Sequence, residues 1–184
     1  KVKGMKLYTI GHSNHDIRYF IKLLREKGAK ILVDVRSAPY SRYNPQYNKE
    51  NLEHSLKQEG IHYIYAGKYL GGRPADPSCY RSKQIPDEGA DYLNEVDYLE
   101  VMKRDWFLRG ISRLEMLINE QNTVIMCSEE DPALCHRHHL IARYMMINYP
   151  DMDVFHIRKD GSVYGARSIM STVDKPPSEQ LRLF

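Results

Sequence analysis

One short stretch of the sequence gathers many of the side chains that could do chemistry. Residues 123–140 read TVIMCSEEDPALCHRHHL and hold two cysteines, three histidines, an arginine and three acidic residues. Residue types of this kind support three different sites, namely a metal site, an activated thiol or a binding site for an anion. The spacing of the residues decides among them.

The metal interpretation depends on ligand spacing. Cys135 and His139 are four residues apart on a predicted helix, and His12 or Cys127 could complete a tetrahedral zinc set. The separation of Cys127 from Cys135, however, does not match the short C-x₂₋₄-C pairs of structural zinc sites. We therefore place metal third among the three interpretations and expect no cofactor.

The thiol interpretation comes second. Cys135 is expected in the first turn of a helix, where the helix N-terminus and the adjacent His136 and Arg137 would lower its pKa. Cys127 lies at a predicted strand end, where a rhodanese or phosphatase nucleophile would lie. Those loops expect an arginine six residues after the cysteine, but Ala133 stands there. The alternative is that Cys127 is only a small buried apolar residue.

An anion site accounts for the largest number of residues. The predicted helix start offers free backbone N–H groups, and Arg36, Arg42 and Arg137 can supply forked donors that suit phosphate. Tyr43 beside Arg42 could stack on a base, or could simply pack its own loop. The glycine pair before Arg73 would allow the backbone to approach a ligand. The candidate substrate-binding residues are Ser13, Arg36, Arg42, Tyr43, Arg73, Cys135 and Arg137.

Acids and histidines beside these arginines suggest general acid–base catalysis. One acid would be the base and one histidine the acid. The alternative is that the acids form structural ion pairs, Asp34–Arg137 or Glu129–Arg36. The candidate catalytic residues are His12, Asp34, Glu129 and His136.

Alternating strands and helices position these residues. Ile17, Phe20, Ile21 and Leu24 recur at helical spacing after a β-rich run, and Ser13 or Asn14 could cap that helix. Further strands are predicted around residues 30–37, 61–65, 123–127 and 153–157, with helices at 49–59, 107–118 and after the Asp131-Pro132 pair. Residues 158–165 suggest a tight turn into a short extension.

This pattern predicts an α/β fold. We expect a mainly parallel, Rossmann-like sheet of about five strands, with helices on both faces, in one domain of residues 5–170. Residues 66–105 lack periodicity and are interpreted as an irregular insertion, and residues 171–184 as a C-terminal tail. The polar clusters follow three predicted strands, so they should meet at the carboxyl edge of the sheet.

The composition is that of an ordinary globular protein. Of the 184 residues, 42% are hydrophobic and 28% charged, which excludes disordered and fibrous classes. No apolar stretch approaches the roughly 18 residues of a membrane span, so we expect no membrane association and a cytoplasmic location. Three cysteines predict reduced thiols rather than a disulfide framework, and the net charge of +3 is compatible with a polyanionic partner.

Four ordered motifs carry a resemblance to a known family. YTIGHSN, LVDVRSAPYSR, YLGGRP and MCSEEDPALCHR resemble, in that order, the signatures of domain-of-unknown-function family 488. The resemblance spans residues 7–157 and implies no established reaction or cofactor. It places the candidate residues from His12 to Arg137 at family motif positions, with Tyr43 and Arg73 outside that set.

The last five residues, QLRLF, resemble the sliding-clamp-binding pentapeptide of bacteria, with Arg182 as the departure. An extended tail could place apolar side chains in a pocket of the clamp while a glutamine fixes the register. The alternative is a C-terminus that docks on its own domain. The candidate partner-binding residues are Gln180, Leu181, Leu183 and Phe184.

Together these features predict a DNA- or nucleotide-associated enzyme with a phosphate-binding rim. Cleavage of a phosphodiester or N-glycosidic bond in DNA repair would suit the residues, with recruitment to the sliding clamp by the tail. Two alternatives stay open. One is a non-catalytic module that binds nucleic acid or a nucleotide, and the other is a thiol-dependent sulfur or redox enzyme.

Overall fold

The computed structural model describes residues 4–170, in which six strands form one sheet. The strand order is β3-β2-β4-β1-β5-β6, and all neighbouring pairs are parallel except β5 with β6. The strands are β1 (Met5–Gly11), β2 (Ile31–Asp34), β3 (His62–Tyr65), β4 (Thr123–Cys127), β5 (Met152–Ile157) and β6 (Val163–Gly165). The prediction of a mainly parallel, Rossmann-like α/β fold is confirmed, and β6 is the short extension after the turn.

Helices cover both faces of the sheet. They are α1 (Ile17–Glu26), α2 (Lys49–Gln58), α3 (Gly67–Leu70), α4 (Tyr92–Glu95), α5 (Tyr98–Val101), α6 (Asp105–Glu120) and α7 (Arg143–Asn148). Side chains of α1 and α2 pack with Leu32 of β2 in one core cluster, whereas α6 and α7 pack with Ile31 and Val33 in another. Because successive residues of a strand point to opposite faces, the unbroken apolar run in β2 serves both clusters.

The first helix begins later than the sequence suggested. Its N-cap is Asp16, whose side chain accepts a hydrogen bond from the backbone N–H of Arg18 at 2.9 Å, so the expectation of Ser13 or Asn14 was wrong. The physical reason lies in the sheet. Ser13 N–H donates to the carbonyl of Ser128 at 2.9 Å, so the chain still follows the neighbouring strand there and has not yet turned into the helix.

The segment after β4 also differs from the prediction of one regular helix. Asp131 caps only a 3₁₀ turn, Pro132–Leu134, after which Cys135 has extended backbone angles (φ −135°, ψ 142°). A π-helix, Arg137–Ala142, then leads into α7. Cys135 therefore precedes the first helical turn. Its carbonyl accepts the backbone N–H groups of His138 and His139 at 3.1 and 3.2 Å, but its own backbone is extended, so its side chain does not share a helical face with that of His139.

Residues 66–104 connect β3 to α6 through short pieces only. Helices α3, α4 and α5 have four residues each, and a 3₁₀ turn, Pro77–Cys79, lies between α3 and α4. The pieces are nevertheless packed, because Tyr80, Val96 and Val101 are fully buried against the core. Such short elements carry no long periodicity, which explains why the sequence pattern fades here. Within residues 4–170, no helix combines the length and apolar character needed to cross a membrane.

Gly11, at the end of β1, lies against the loop that follows β4. A Cβ atom there would sit 1.7 Å from the carbonyl oxygen of Glu129 and 2.9 Å from the Cα of Glu130, so only glycine fits. The close approach lets β1 and the β4 loop share one edge of the sheet.

We expect Gly11→Ala to lower the free energy of unfolding by about 3 kcal/mol or more, because overlap with backbone atoms cannot be relieved by a side-chain rotation. Urea unfolding would measure the change. The control is Gly165→Ala, where nothing lies within 4 Å of the added Cβ and the backbone φ is −64°. Similar stabilities for the two variants would contradict the packing described for Gly11.

Candidate functional site

A cavity of about 360 Å³ opens at the carboxyl ends of β2 and β4, beneath the connection that precedes α6. Strands β2 and β4 are neighbours, but the chain leaves β2 toward the α2 face and leaves β4 toward the α7 face. Crevices at such divergent strand ends are where ligands bind in open α/β sheets. The residues that line the cavity include Arg36, Ser37, Tyr40, Gly72, Arg73, Asp91, Tyr92, Tyr98, Cys127, Ser128, Glu129, Cys135 and His136.

Two thiols and one imidazole meet at the wall of this cavity. Cys127 comes from the end of β4, and Cys135 and His136 come from the extended turn before the π-helix. The His136 Nδ1 atom lies 3.7 Å from the Cys127 sulfur and 3.9 Å from the Cys135 sulfur, and the three atoms lie within 4.8 Å of one another. All three side chains are buried. We call these residues the CCH cluster.

The orientation of His136 is fixed from its other side. Its Nε2 atom lies 3.1 Å from the carbonyl oxygen of Val35, which can only accept, so Nε2 carries the proton. The lone pair of a neutral ring is then on Nδ1 and points toward the two sulfur atoms. Gly72 lies against this edge of the ring, since an added Cβ would come within 2.8 Å of Nδ1.

The two thiols differ in proton affinity. The hydrogen bond with Cys135, together with burial, raises the pKa of Cys127 well above its usual range. Burial also raises the pKa of Cys135, but the hydrogen bond from Cys127 and the adjacent His136 and Arg137 outweigh it, so the pKa of Cys135 lies well below its usual range. Of the two thiols, Cys135 is therefore the one that gives up its proton more readily.

Arg137 holds the loop between the two cysteines. Its guanidinium is fully buried and donates to the backbone carbonyls of Glu129 and Glu130 and, at 3.1 Å, to the hydroxyl of Thr9. Its backbone N–H donates to the sulfur of Cys135 at 3.5 Å. The side chain predicted to bind phosphate thus contacts the protein instead of lining the cavity.

Asp34 and Arg36 form a buried ion pair at the end of β2. Both carboxylate oxygens are bonded, one to Nη2 of Arg36 at 2.7 Å and the other to its Nε at 2.9 Å. The Tyr63 hydroxyl donates to the same carboxylate at 2.7 Å, and Nη2 also donates to the carbonyl of Tyr47. An ion pair was one of the expected alternatives, but its partners are these two residues and neither of the predicted pairs.

His12 lies beside this ion pair and is a neutral acceptor. Its Nδ1 donates to the carbonyl of Ser13 at 2.7 Å, its Nε2 lies 3.3 Å from Nη1 of Arg36, and its ring stacks on Tyr47 at 4.2 Å. Burial lowers the pKa of His12 to about 4. A second buried histidine, His156 of β5, is bonded to Thr9, and burial and the neighbouring His138 lower its pKa to about 3.

The remaining predicted residues divide into those at the cavity and those outside it. Glu129 and Arg73 line the cavity, and the Arg73 guanidinium lies 4.5 Å from the centre of the Tyr92 ring. Arg42 and Tyr43 are exposed and do not line it, and Ser13 has a left-handed backbone with φ 48°. His139, weighed as a metal ligand, points away from the cluster and bonds the carbonyl of Ala133.

Several cavity residues escaped the sequence analysis. Ser37 follows Arg36 directly, and its hydroxyl accepts a hydrogen bond from the backbone of Arg73 at 3.0 Å. Tyr92 and Tyr98 belong to the short helices before α6, where no periodicity marked them. Cys127 was considered as a nucleophile but not placed in the site. Its position at a strand end on the carboxyl edge was the available signal.

Two histidines with lowered pKa values make stability depend on pH. In the unfolded chain His12 and His156 take up protons near pH 6.5, but in the folded protein only near pH 4 and pH 3. Between these pH values the unfolded state binds more protons than the folded state. The free energy of unfolding should therefore fall as the pH drops from about 6.5 toward 4.

Each histidine contributes up to about 3 kcal/mol across this range, on the conversion of one pKa unit to 1.36 kcal/mol. Urea unfolding at pH 7, 6 and 5 measures the total loss of unfolding free energy. An NMR titration of the imidazole ring protons then shows how much of that loss each histidine causes. Stability that stays constant from pH 6.5 to 5, or a His12 ring that titrates near 6.5, would contradict neutral buried histidines.

A comparison with family models agrees with three of the four motifs, since YTIGHSN at residues 8–14 precedes the matched segment. The family model described as domain of unknown function DUF488 matches residues 16–144, which include α1, the ion pair at the end of β2 and the whole CCH cluster. No curated protein and no solved structure gives a significant match. Since the matched segment covers more than half of the chain, the protein belongs to the DUF488 family.

Proposed function

We propose that this protein is an enzyme that acts on a nucleotide or nucleotide-like phosphorylated substrate held in the cavity at the carboxyl edge of the sheet. The observation that carries the proposal is the convergence, in one cavity, of the CCH cluster, two carboxylates and two arginines. Reactive side chains seldom gather at the carboxyl edge of a sheet for structural reasons alone, because burying polar groups costs free energy.

The lining of the cavity supports a phosphorylated substrate with a flat ring. Arg73 is exposed beside the cavity and carries a forked cation that suits phosphate. Tyr40, Tyr92 and Tyr98 supply aromatic surface on which a base can stack. A volume of about 360 Å³ is in the range that small-molecule sites occupy.

The geometry also distinguishes the candidate catalytic residues that can reach a substrate from those that cannot. Of the two acids proposed as the base, Glu129 is exposed and lines the cavity, whereas Asp34 is fully buried with both oxygens engaged by Arg36 and Tyr63. Of the two histidines proposed as the acid, His136 lines the cavity and His12 does not. We therefore assign the role of general base to Glu129. Asp34 instead fixes the position of Arg36.

Binding of mononucleotides by the purified protein tests the proposal. We expect calorimetry to detect binding of at least one nucleoside monophosphate, and Arg73→Ala to weaken it about tenfold or more, because a charge-assisted hydrogen bond to phosphate is lost. Arg25→Ala is the control, since this exposed arginine pairs with Glu59 and lies near the end of α1, at the opposite edge of the sheet.

Two outcomes would change this proposal. Equal weakening by both arginine substitutions would show only a general charge effect and remove the cavity from the assignment. Nucleotide binding by the wild-type protein with no turnover on long incubation would make it a non-catalytic binding module, which is the alternative drawn from the sequence.

We also propose that the C-terminal tail recruits the protein to the sliding clamp and so to DNA under replication or repair. The proposal is supported by the QLRLF sequence alone, since Gln180, Leu181, Leu183 and Phe184 lie outside the described residues. A clamp-binding tail would make DNA, or nucleotides released from it, the source of the substrate.

Calorimetry with the clamp of the same organism tests the tail. The full-length chain should bind, and a chain that ends at Glu179 should not, because the register-fixing glutamine and the apolar anchors are removed together. A Leu183→Ala, Phe184→Ala double variant keeps the length of the tail and should also lose binding. Undiminished binding by the truncated chain would exclude the tail as the contact.

A further inference from the structure

We propose that the CCH cluster is a metal site, in which Cys127, Cys135 and His136 bind a zinc ion and leave its fourth position open to the cavity. Three protein ligands with one open position is the arrangement of catalytic zinc, and thiolate with imidazole is a ligand set that zinc favours. The inference differs from the zinc set weighed from the sequence, which depended on His139.

The distances fit a tetrahedral ion. Zinc binds sulfur at about 2.3 Å and nitrogen at about 2.0–2.1 Å, so a sulfur and a nitrogen on one tetrahedral ion are about 3.6 Å apart. The two sulfur-to-Nδ1 distances, 3.7 and 3.9 Å, are close to that separation. They are long for a hydrogen bond to nitrogen, so the cluster has room for an ion between its members.

The surroundings of the ligands provide the second, independent argument. Metal-bound histidines usually donate their other ring N–H to a carbonyl or carboxylate, and His136 donates Nε2–H to the carbonyl of Val35. The sulfur of Cys135 accepts the backbone N–H of Arg137 at 3.5 Å, a contact that thiolate ligands commonly make. The absence of a side chain at Gly72 leaves the space beside Nδ1 free.

The open position faces the proposed substrate. All three ligands line the cavity together with Glu129, so a water molecule on the fourth position would lie in the space that the substrate enters. Zinc lowers the pKa of a bound water toward 7, which makes hydroxide available at neutral pH. The hydrolytic role rests on the proposed function, whereas metal binding itself does not.

The resulting reaction is a hydrolysis. The bound water gives one proton to the Glu129 carboxylate, and the hydroxide forms a bond to the electrophilic atom of the substrate. The bond to the leaving group breaks, and the leaving group takes the proton from Glu129. One water is consumed, and neither an oxidant nor a reductant is needed.

Metal content of the purified protein tests the site without any substrate. We expect elemental mass spectrometry to find about one zinc ion per chain in protein purified from cells grown with added zinc. Cys135→Ala, Cys127→Ala and His136→Gln should each lose most of it. The matched controls are Cys79→Ala, a buried cysteine that does not line the cavity, and His139→Gln, which should both keep the metal.

Cobalt provides a measurement that does not depend on the folding of variants. Wild-type protein stripped by a chelator should take up Co²⁺ and show the intense visible bands of a tetrahedral site together with a sulfur-to-cobalt charge-transfer band. Its melting temperature should rise with added Zn²⁺, because the ion binds only the folded state.

Failure of the metal site and failure of the substrate proposal give different results. Wild-type protein that contains no zinc, takes up no Co²⁺ and instead forms a Cys127–Cys135 disulfide under mild oxidation would overturn the metal site and favour a thiol enzyme. Stoichiometric metal in a protein that binds no nucleotide would support the metal site and overturn only the substrate assignment.

Discussion

The buried guanidinium of Arg137 determines the shape of the edge where the cavity lies. It ties together three parts of the chain, since its nitrogens reach Thr9 on β1 and two carbonyls in the loop after β4, while its backbone contacts the Cys135 sulfur. Among the ion pairs of residues 4–170, none includes Arg137. A buried cation without a carboxylate partner is costly, and the nearby sulfur atoms are the groups that can offset its charge.

A second buried arginine organises the opposite wall. Arg36 is bonded to Asp34 through two nitrogens, and Tyr63, Tyr47 and His12 complete its surroundings. The pair has little freedom, because every polar atom of the carboxylate is engaged within the protein. The CCH cluster therefore lies between the rigid Asp34–Arg36 ion pair and the buried cation of Arg137, and the charge of Arg137 favours a thiolate beside it.

The connection between β3 and α6 completes the cavity from above. It contributes Arg73, Tyr92 and Tyr98, and it approaches the cluster closely only because Gly72 has no side chain against His136. Two interactions anchor it near the cavity. The Arg73 backbone donates to Ser37, and the Arg73 guanidinium stacks over Tyr92. A segment of short helices can thus have defined positions even though its sequence shows no repeating pattern.

The sequence by itself determined the fold class, the strands and the edge where the polar clusters meet. These follow from local periodicity and from the rule that parallel strands place their carboxyl ends together, so they need no knowledge of partners. It also marked five residues that line the cavity, namely Arg36, Arg73, Glu129, Cys135 and His136.

Only the tertiary structure decided which of the marked residues face the cavity. Asp34 and Arg36 pair with each other, Arg137 turns inward, and His136 rather than His139 meets the two sulfurs. These outcomes depend on contacts between segments as far apart as Val35 and His136 and on the break in helical geometry at Cys135. Spacing along the chain cannot encode them, because a side chain's direction is set by the backbone conformation and by whatever donor or acceptor packs beside it.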